Sequence, residues 1–203
     1  MKHGYYADNE LPRADNPDYK TNSLGYRCPE FSPLPTGCKN VVVLGCSHTF
    51  GEGLEEDQIW CTQLSKLLEG KNLRFWNLGQ PGASPDKCVR LLYGSEKVLF
   101  PKIIIVCWPA ISRRERLDHY PLSLTGDNPL LKTENNYTDR HNFLKCVFQV
   151  EKFAEYNRAI TFHCFAEEVY PLAKVNVLSV GVVRISYVPS NAASAGLRAI
   201  VTN

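Results

Sequence analysis

Apolar residues in this chain gather in short unbroken runs, separated by stretches in which polar and apolar positions alternate at helical spacing. "VVVL" (Val41–Leu44), "LRFWNLG" (73–79), "PKIIIVCW" (Pro101–Trp108) and "AITFHCF" (159–165) are such runs, each bounded by turn residues. Runs of this length and composition predict strands buried on both faces. Between them, Glu55–Gly70 places Ile59, Leu64, Leu67 and Leu68 on one helical face, with Gly70 as a stop. Ser84 before Pro85 predicts a capped helix start for "SPDKCVRLLYGSEKVL", and Phe143–Tyr156 predicts a further helix. Strand and helix alternate throughout, which predicts an α/β fold: a three-layer sandwich with a central parallel sheet. Chemistry in such sheets gathers just past the carboxyl ends of the strands. Ser47, Gly79–Ser84 and Trp108–Arg113 all fall at such ends.

Three regions follow from the same pattern. Residues 1–37 are polar, rich in proline and without periodicity, and predict an extended arm over the domain. Residues 38–168 carry the strands and helices. From residue 169 the character changes: the last 35 residues contain no Asp, Glu or His and end in small residues. This atypical C-terminal segment leaves open whether the fold is complete at that end.

Charge narrows the partners. Lys plus Arg is 23 and Asp plus Glu is 21, a formal net charge of +2 over 203 residues. That is too little to argue for a nucleic-acid partner or an anionic membrane surface. No run approaches the roughly 20 apolar residues of a membrane span. "MKHGYYADNE" holds no apolar stretch of the secretory kind, so a cytoplasmic protein is expected. Eight cysteines are present without a CxxC pair, which argues against a zinc site and for reduced thiols. The oligomeric state is not legible.

The stretch "VVVLGCSHTFGEG" (Val41–Gly53) carries the candidate chemistry. A serine at a strand–turn–helix junction is exposed at the start of the helix, beside outward-pointing amides and the positive end of the helix dipole. The same residues also fit a plain turn with a capping serine. "GCSHTFG" has neither a Walker lysine nor a GxGxxG spacing, so a nucleotide binder is the weaker alternative.

Taken with its surroundings, the stretch resembles the SGNH/GDSL hydrolase family. Gly45-Cys46-Ser47-His48-Thr49-Phe50-Gly51 is similar to that family's first block, and "TNSLGYRCPEF" (Thr21–Phe31) resembles its lead-in. Trp60 resembles the aromatic opening the first long helix, and "WNLGQPGAS" (Trp76–Ser84) resembles the second block. The resemblance spans roughly residues 21–165 and implies a flavodoxin-like SGNH fold. It also implies hydrolysis of an acyl ester, on a small-molecule, carbohydrate (glycan) or lipid substrate. By it, Ser47 would be nucleophile and first oxyanion donor, Gly82 the second donor, and no metal or organic cofactor is implied.

Four departures accompany the resemblance. Cys46 stands where the first block has Asp. "CWPAISRRER" (Cys107–Arg116) lacks the third block's Asn, which leaves Trp108, Ser112 and Arg113 as candidate donors or substrate contacts. In this it looks like a variant of phage-encoded members, so a viral origin is an expectation. Trp108 fits a core aromatic equally well, and Arg113–Arg116 a solvated basic turn. The Asp-x-x-His block that would supply the base is absent. Among His3, His48, His119, His141 and His163, the last is the candidate base, although its apolar strand also suits a satisfied core histidine. The fourth departure is the tail. Two functions therefore stand: an SGNH-type serine esterase, or a catalytically inactive SGNH-like domain that binds or supports.

Overall fold

The computed structural model describes residues 19–33, 35–115, 123–124, 136–165, 183–186 and 198–201. The expected arm before residue 19, Arg116, His3, His119 and most of the C-terminal segment lie outside the described residues. Four strands form one parallel sheet: β1 (Lys39–Gly45), β2 (Leu73–Asn77), β3 (Ile103–Trp108) and β6 (Ile160–Phe165), in the order β2-β1-β3-β6. Val42 pairs with Trp76 on one side and Ile104 on the other, and Val106 pairs with His163.

Alternate residues of the strands feed two cores. Val42, Leu44, Ile104, Val106 and Trp108 face helices α3 (Pro85–Leu99) and α4 (Asn136–Asn157), meeting Leu92, Phe143 and Val150. Val41, Val43, Ile105, Cys107 and Cys164 face α2 (Trp60–Leu67), meeting Ile59 and Cys61. The protein is thus an α/β three-layer sandwich about a central parallel sheet. It is built from unbroken apolar strands because both sheet faces are covered.

Two helices differ from their sequence expectation. Glu55–Gly70 is not one helix: a 3-10 turn at Glu56–Gln58 precedes α2. Glu55 and Gln58 close a capping box, and Ile59 is extended at φ −65°, ψ 131°. This break buries Ile59 completely and rotates the following turns, so Leu67 is 81% exposed instead of facing the core. Conversely α4 begins at Asn136, seven residues before Phe143. Its first turn is held by Asp139, which pairs with Arg114 at 2.5 Å, a tertiary contact that no helical periodicity encodes.

Residues 19–33 form neither helix nor strand, yet they are bound tightly to the domain. Asn22 Oδ1 accepts the amides of Leu24 and Tyr26, and the buried Tyr26 ring stacks on Phe31, which meets Trp76 edge-on. Arg27 donates to the carbonyls of Gly51 and Leu54 and lies over the Tyr19 and Phe50 rings. β4 (Arg114–Glu115) pairs antiparallel with β5 (Ser123–Leu124), and β7 (Val183–Ser186) with β8 (Arg198–Val201). Among the described residues, no helix is long and apolar enough to cross a membrane.

Candidate active site

The sheet order places β1 between β2 and β3: the connection from β1 runs to β2 on one side, and the connection from β2 passes back over β1 to β3 on the other. A crevice opens at such a switch point, outside the carboxyl ends of the strands. Ser47 lies on that edge. β1 ends at Gly45, Cys46 is extended, and Ser47 begins the one-turn helix α1 (Ser47–Phe50). The serine is half-buried, while Thr49 and Phe50 behind it are buried. Cys46 C=O accepts the amides of Thr49 (3.0 Å) and Phe50 (2.9 Å). The amide of Ser47 has no acceptor among the described residues, as expected at the start of a helix.

The loop after β2 is fastened against this turn. Leu78 N–H donates to Val43 C=O (2.9 Å) and Gln80 N–H to Gly45 C=O (3.0 Å), continuing the ladder beyond the strand. Asn77 ties both sides together: its Nδ2 donates to Thr49 C=O at 2.8 Å and its Oδ1 accepts the Gly79 amide at 3.0 Å. Gly79 is required by proximity, since a Cβ there would come within 2.6 Å of the Phe50 nitrogen. The chain then turns through Gly82 at φ +72°, a conformation that favours glycine. The Gly82 amide has no acceptor among the described residues. Ser84 then caps α3, accepting from the Lys87 amide at 3.2 Å. Two unsatisfied amides, Ser47 and Gly82, thus sit on adjacent segments of one sheet edge.

The loop after β3 completes that edge. Arg113 N–H closes a turn onto Ala110 C=O (3.1 Å), with Ser112 half-buried inside it. Arg113 Nη1 reaches Ala83 C=O at 3.5 Å, next to Gly82. The expected solvated basic turn is not found at the next two positions. Arg114 pairs with Asp139, and Glu115 accepts Arg90 at 3.0 and 2.6 Å, with Glu115 only 5% exposed.

Trp108 and His163 lie elsewhere. Trp108 is 1% exposed, meets Phe143 edge-on and donates its indole N–H to His163 Nδ1 at 2.8 Å. An indole can only donate, so His163 carries its hydrogen on Nε2, 2.6 Å from Glu151 Oε1. Both ring nitrogens are engaged beneath the sheet. As a correction to the sequence expectations, Trp108 is a core aromatic, and His163 has no nitrogen with which to serve Ser47. The hydrogen bond from His163, and a second from Thr161, hold the Glu151 carboxyl below its ordinary range against the opposing effect of burial. His141 is exposed on α4. Among the described residues none hydrogen-bonds the Ser47 hydroxyl.

Sequence reasoning did not single out the pair beside the serine. Cys46 Sγ lies 3.4 Å from His48 Nδ1. Burial raises the Cys46 thiol, but hydrogen bonding and charge from His48, with the Arg113 charge, outweigh it and lower the net value. Burial instead pushes Cys61 and Cys107 up to about 12, as befits inert structural thiols. All eight cysteines are free. No cluster of three or more His, Cys, Asp or Glu fit for a metal occurs among the described residues.

No family model and no curated protein matches the chain. Several solved structures do. TesA is 17% identical with a TM-score of 0.45, over 62% of this chain and 59% of its own. The psychrotrophic esterase EstA from Pseudoalteromonas sp. is 14% identical with a TM-score of 0.45, over 65% and 60%. AlinE4, an SGNH-hydrolase family esterase, is 15% identical with a TM-score of 0.44, over 64% and 60%. The chain therefore spans about 60% of the length of these solved proteins. It is an α/β protein whose solved structural neighbours include an SGNH-hydrolase family esterase.

Proposed function

We propose that the protein is a serine esterase of the SGNH type that hydrolyses an acyl ester through Ser47. The supporting observation is the placement, on adjacent segments at the sheet's switch point, of the half-buried Ser47 and of two amides, Ser47 and Gly82, that have no acceptor among the described residues. In the first step Ser47 Oγ bonds to the ester carbonyl carbon and its proton passes to a base. The carbonyl oxygen becomes an oxyanion facing the two amides. The bond to the alcohol then breaks as the leaving oxygen takes up a proton. Water repeats the sequence on the acyl-enzyme, releasing the acid and restoring Ser47. Carbohydrate and lipid esters are the substrate range that the sequence resemblance implies.

A second reading, an inactive SGNH-like binding module, is favoured by one observation: no described group hydrogen-bonds the Ser47 hydroxyl, and His163 is occupied. Without a base, the oxyanion hole and positioning alone give only a small residual rate. Hydrolysis of 4-nitrophenyl acetate separates the two. The esterase reading predicts turnover that drops to background in Ser47→Ala while the far-ultraviolet circular dichroism is unchanged. Equal rates in the two proteins refute it.

A further inference from the structure

Arg113 stands apart from its neighbours. Arg114 and Glu115 are committed to ion pairs with α4 and α3, both with little exposure. These two anchors fix the loop, and hence the backbone that carries Arg113. The Arg113 side chain is half-buried, yet no carboxylate pairs with it among the described residues. Its one hydrogen bond there is the 3.5 Å contact with Ala83 C=O. A guanidinium offers five N–H donors in a planar fork, and a single long contact to a carbonyl leaves most of them open to a ligand. The position of this fork is informative. It touches the residue after Gly82, and its charge reaches the thiol of the residue before Ser47. It therefore borders the segments carrying the nucleophile and the second amide.

The geometry points to Arg113 as the receptor for a negatively charged group on the substrate. The site then selects esters whose acyl or alcohol half bears a carboxylate or phosphate near the scissile carbonyl. Bidentate geometry suits both anions, which a neutral Asn at the same edge would not hold as strongly. The inference rests on the esterase reading for its substrate, but the anion site itself does not need turnover.

Two measurements keep the claims separate. The first is the ratio of kcat/KM for 4-nitrophenyl hydrogen succinate to that for 4-nitrophenyl butyrate. The wild type is expected to favour the anionic ester, and Arg113→Gln to lower the ratio about 10-fold or more, the range of one lost charge-assisted hydrogen bond. A ratio unchanged by Arg113→Gln overturns the inference, including the case where both rates fall together because Arg113 serves the oxyanion of every ester. The second uses Ser47→Ala and reads thermal shift with monomethyl succinate, charged on the acyl half, and with glycerol 3-phosphate, charged on the alcohol half. A salt-sensitive rise in Tm with either ligand, lost in Ser47→Ala/Arg113→Gln, supports the anion site even where the wild type hydrolyses nothing. The responding ligand shows which half carries the charge. No rise with either ligand overturns the inference, whatever the esterase result.

Discussion

Single side chains decide which groups on this sheet edge can take part in chemistry. His163 looked like a base only because it is a histidine near the end of the last strand of the parallel sheet. Its nitrogens are held by Trp108 and Glu151, and the apolar run around it was the legible sign that it belongs to the core. Trp108→Phe would leave His163 Nδ1 buried without its donor. The expected loss is about 1–3 kcal/mol of stability, read as a lower urea midpoint, and an unchanged midpoint would show that the contact carries no weight. Glu151 adds a pH dependence. Its carboxyl is depressed in the folded state, so its stabilisation is present above the unfolded value of about 4.3 and is lost as pH falls through the lower folded value. The urea midpoint of wild type should therefore exceed that of Glu151→Gln near neutral pH, and the difference should shrink as pH falls through the lowered carboxyl value. A gap that does not narrow on acidification would contradict this.

At the scale of elements, the turn that carries Ser47 owes its shape to the loop after β2 as much as to its own residues. Asn77 is 4% exposed and bonds both Thr49 and Gly79. Asn77→Ala strands two backbone groups, at about 1–3 kcal/mol each. The variant should therefore unfold at a lower urea concentration and lose the proposed esterase rate beyond its loss of stability, because the Gly82 amide is no longer fixed. Wild-type kcat/KM in a destabilised Asn77→Ala would separate the loop from the chemistry. The strands and their alternation with helices were legible because apolar runs between turn residues admit little else. The break at Ile59 was not, because a buried isoleucine in an extended link satisfies the same apolar spacing as one on a helix. The start of α4 and the ion pairs of Arg114 and Glu115 were illegible for a related reason: each depends on a partner far along the chain, Asp139 or Arg90.

For the whole molecule, the switch point of the parallel sheet brings three separate loops to one edge, and the residue types there were readable as blocks before their contacts were known. What spacing cannot supply is which donors are left unbonded, since that depends on every neighbouring acceptor. That the amides of Ser47 and Gly82 have no acceptor, and Arg113 no carboxylate, among the described residues emerges only from the fold. The fold also binds residues 19–33 to the same region through Arg27, whose guanidinium clamps the loop after α1. The most direct test of the account is reaction of the full chain with a fluorophosphonate, followed by intact mass and peptide mapping. An activated serine at this edge predicts one equivalent of phosphonyl group, located on Ser47 and absent from Ser47→Ala. An unmodified protein, or label on another residue, would contradict it.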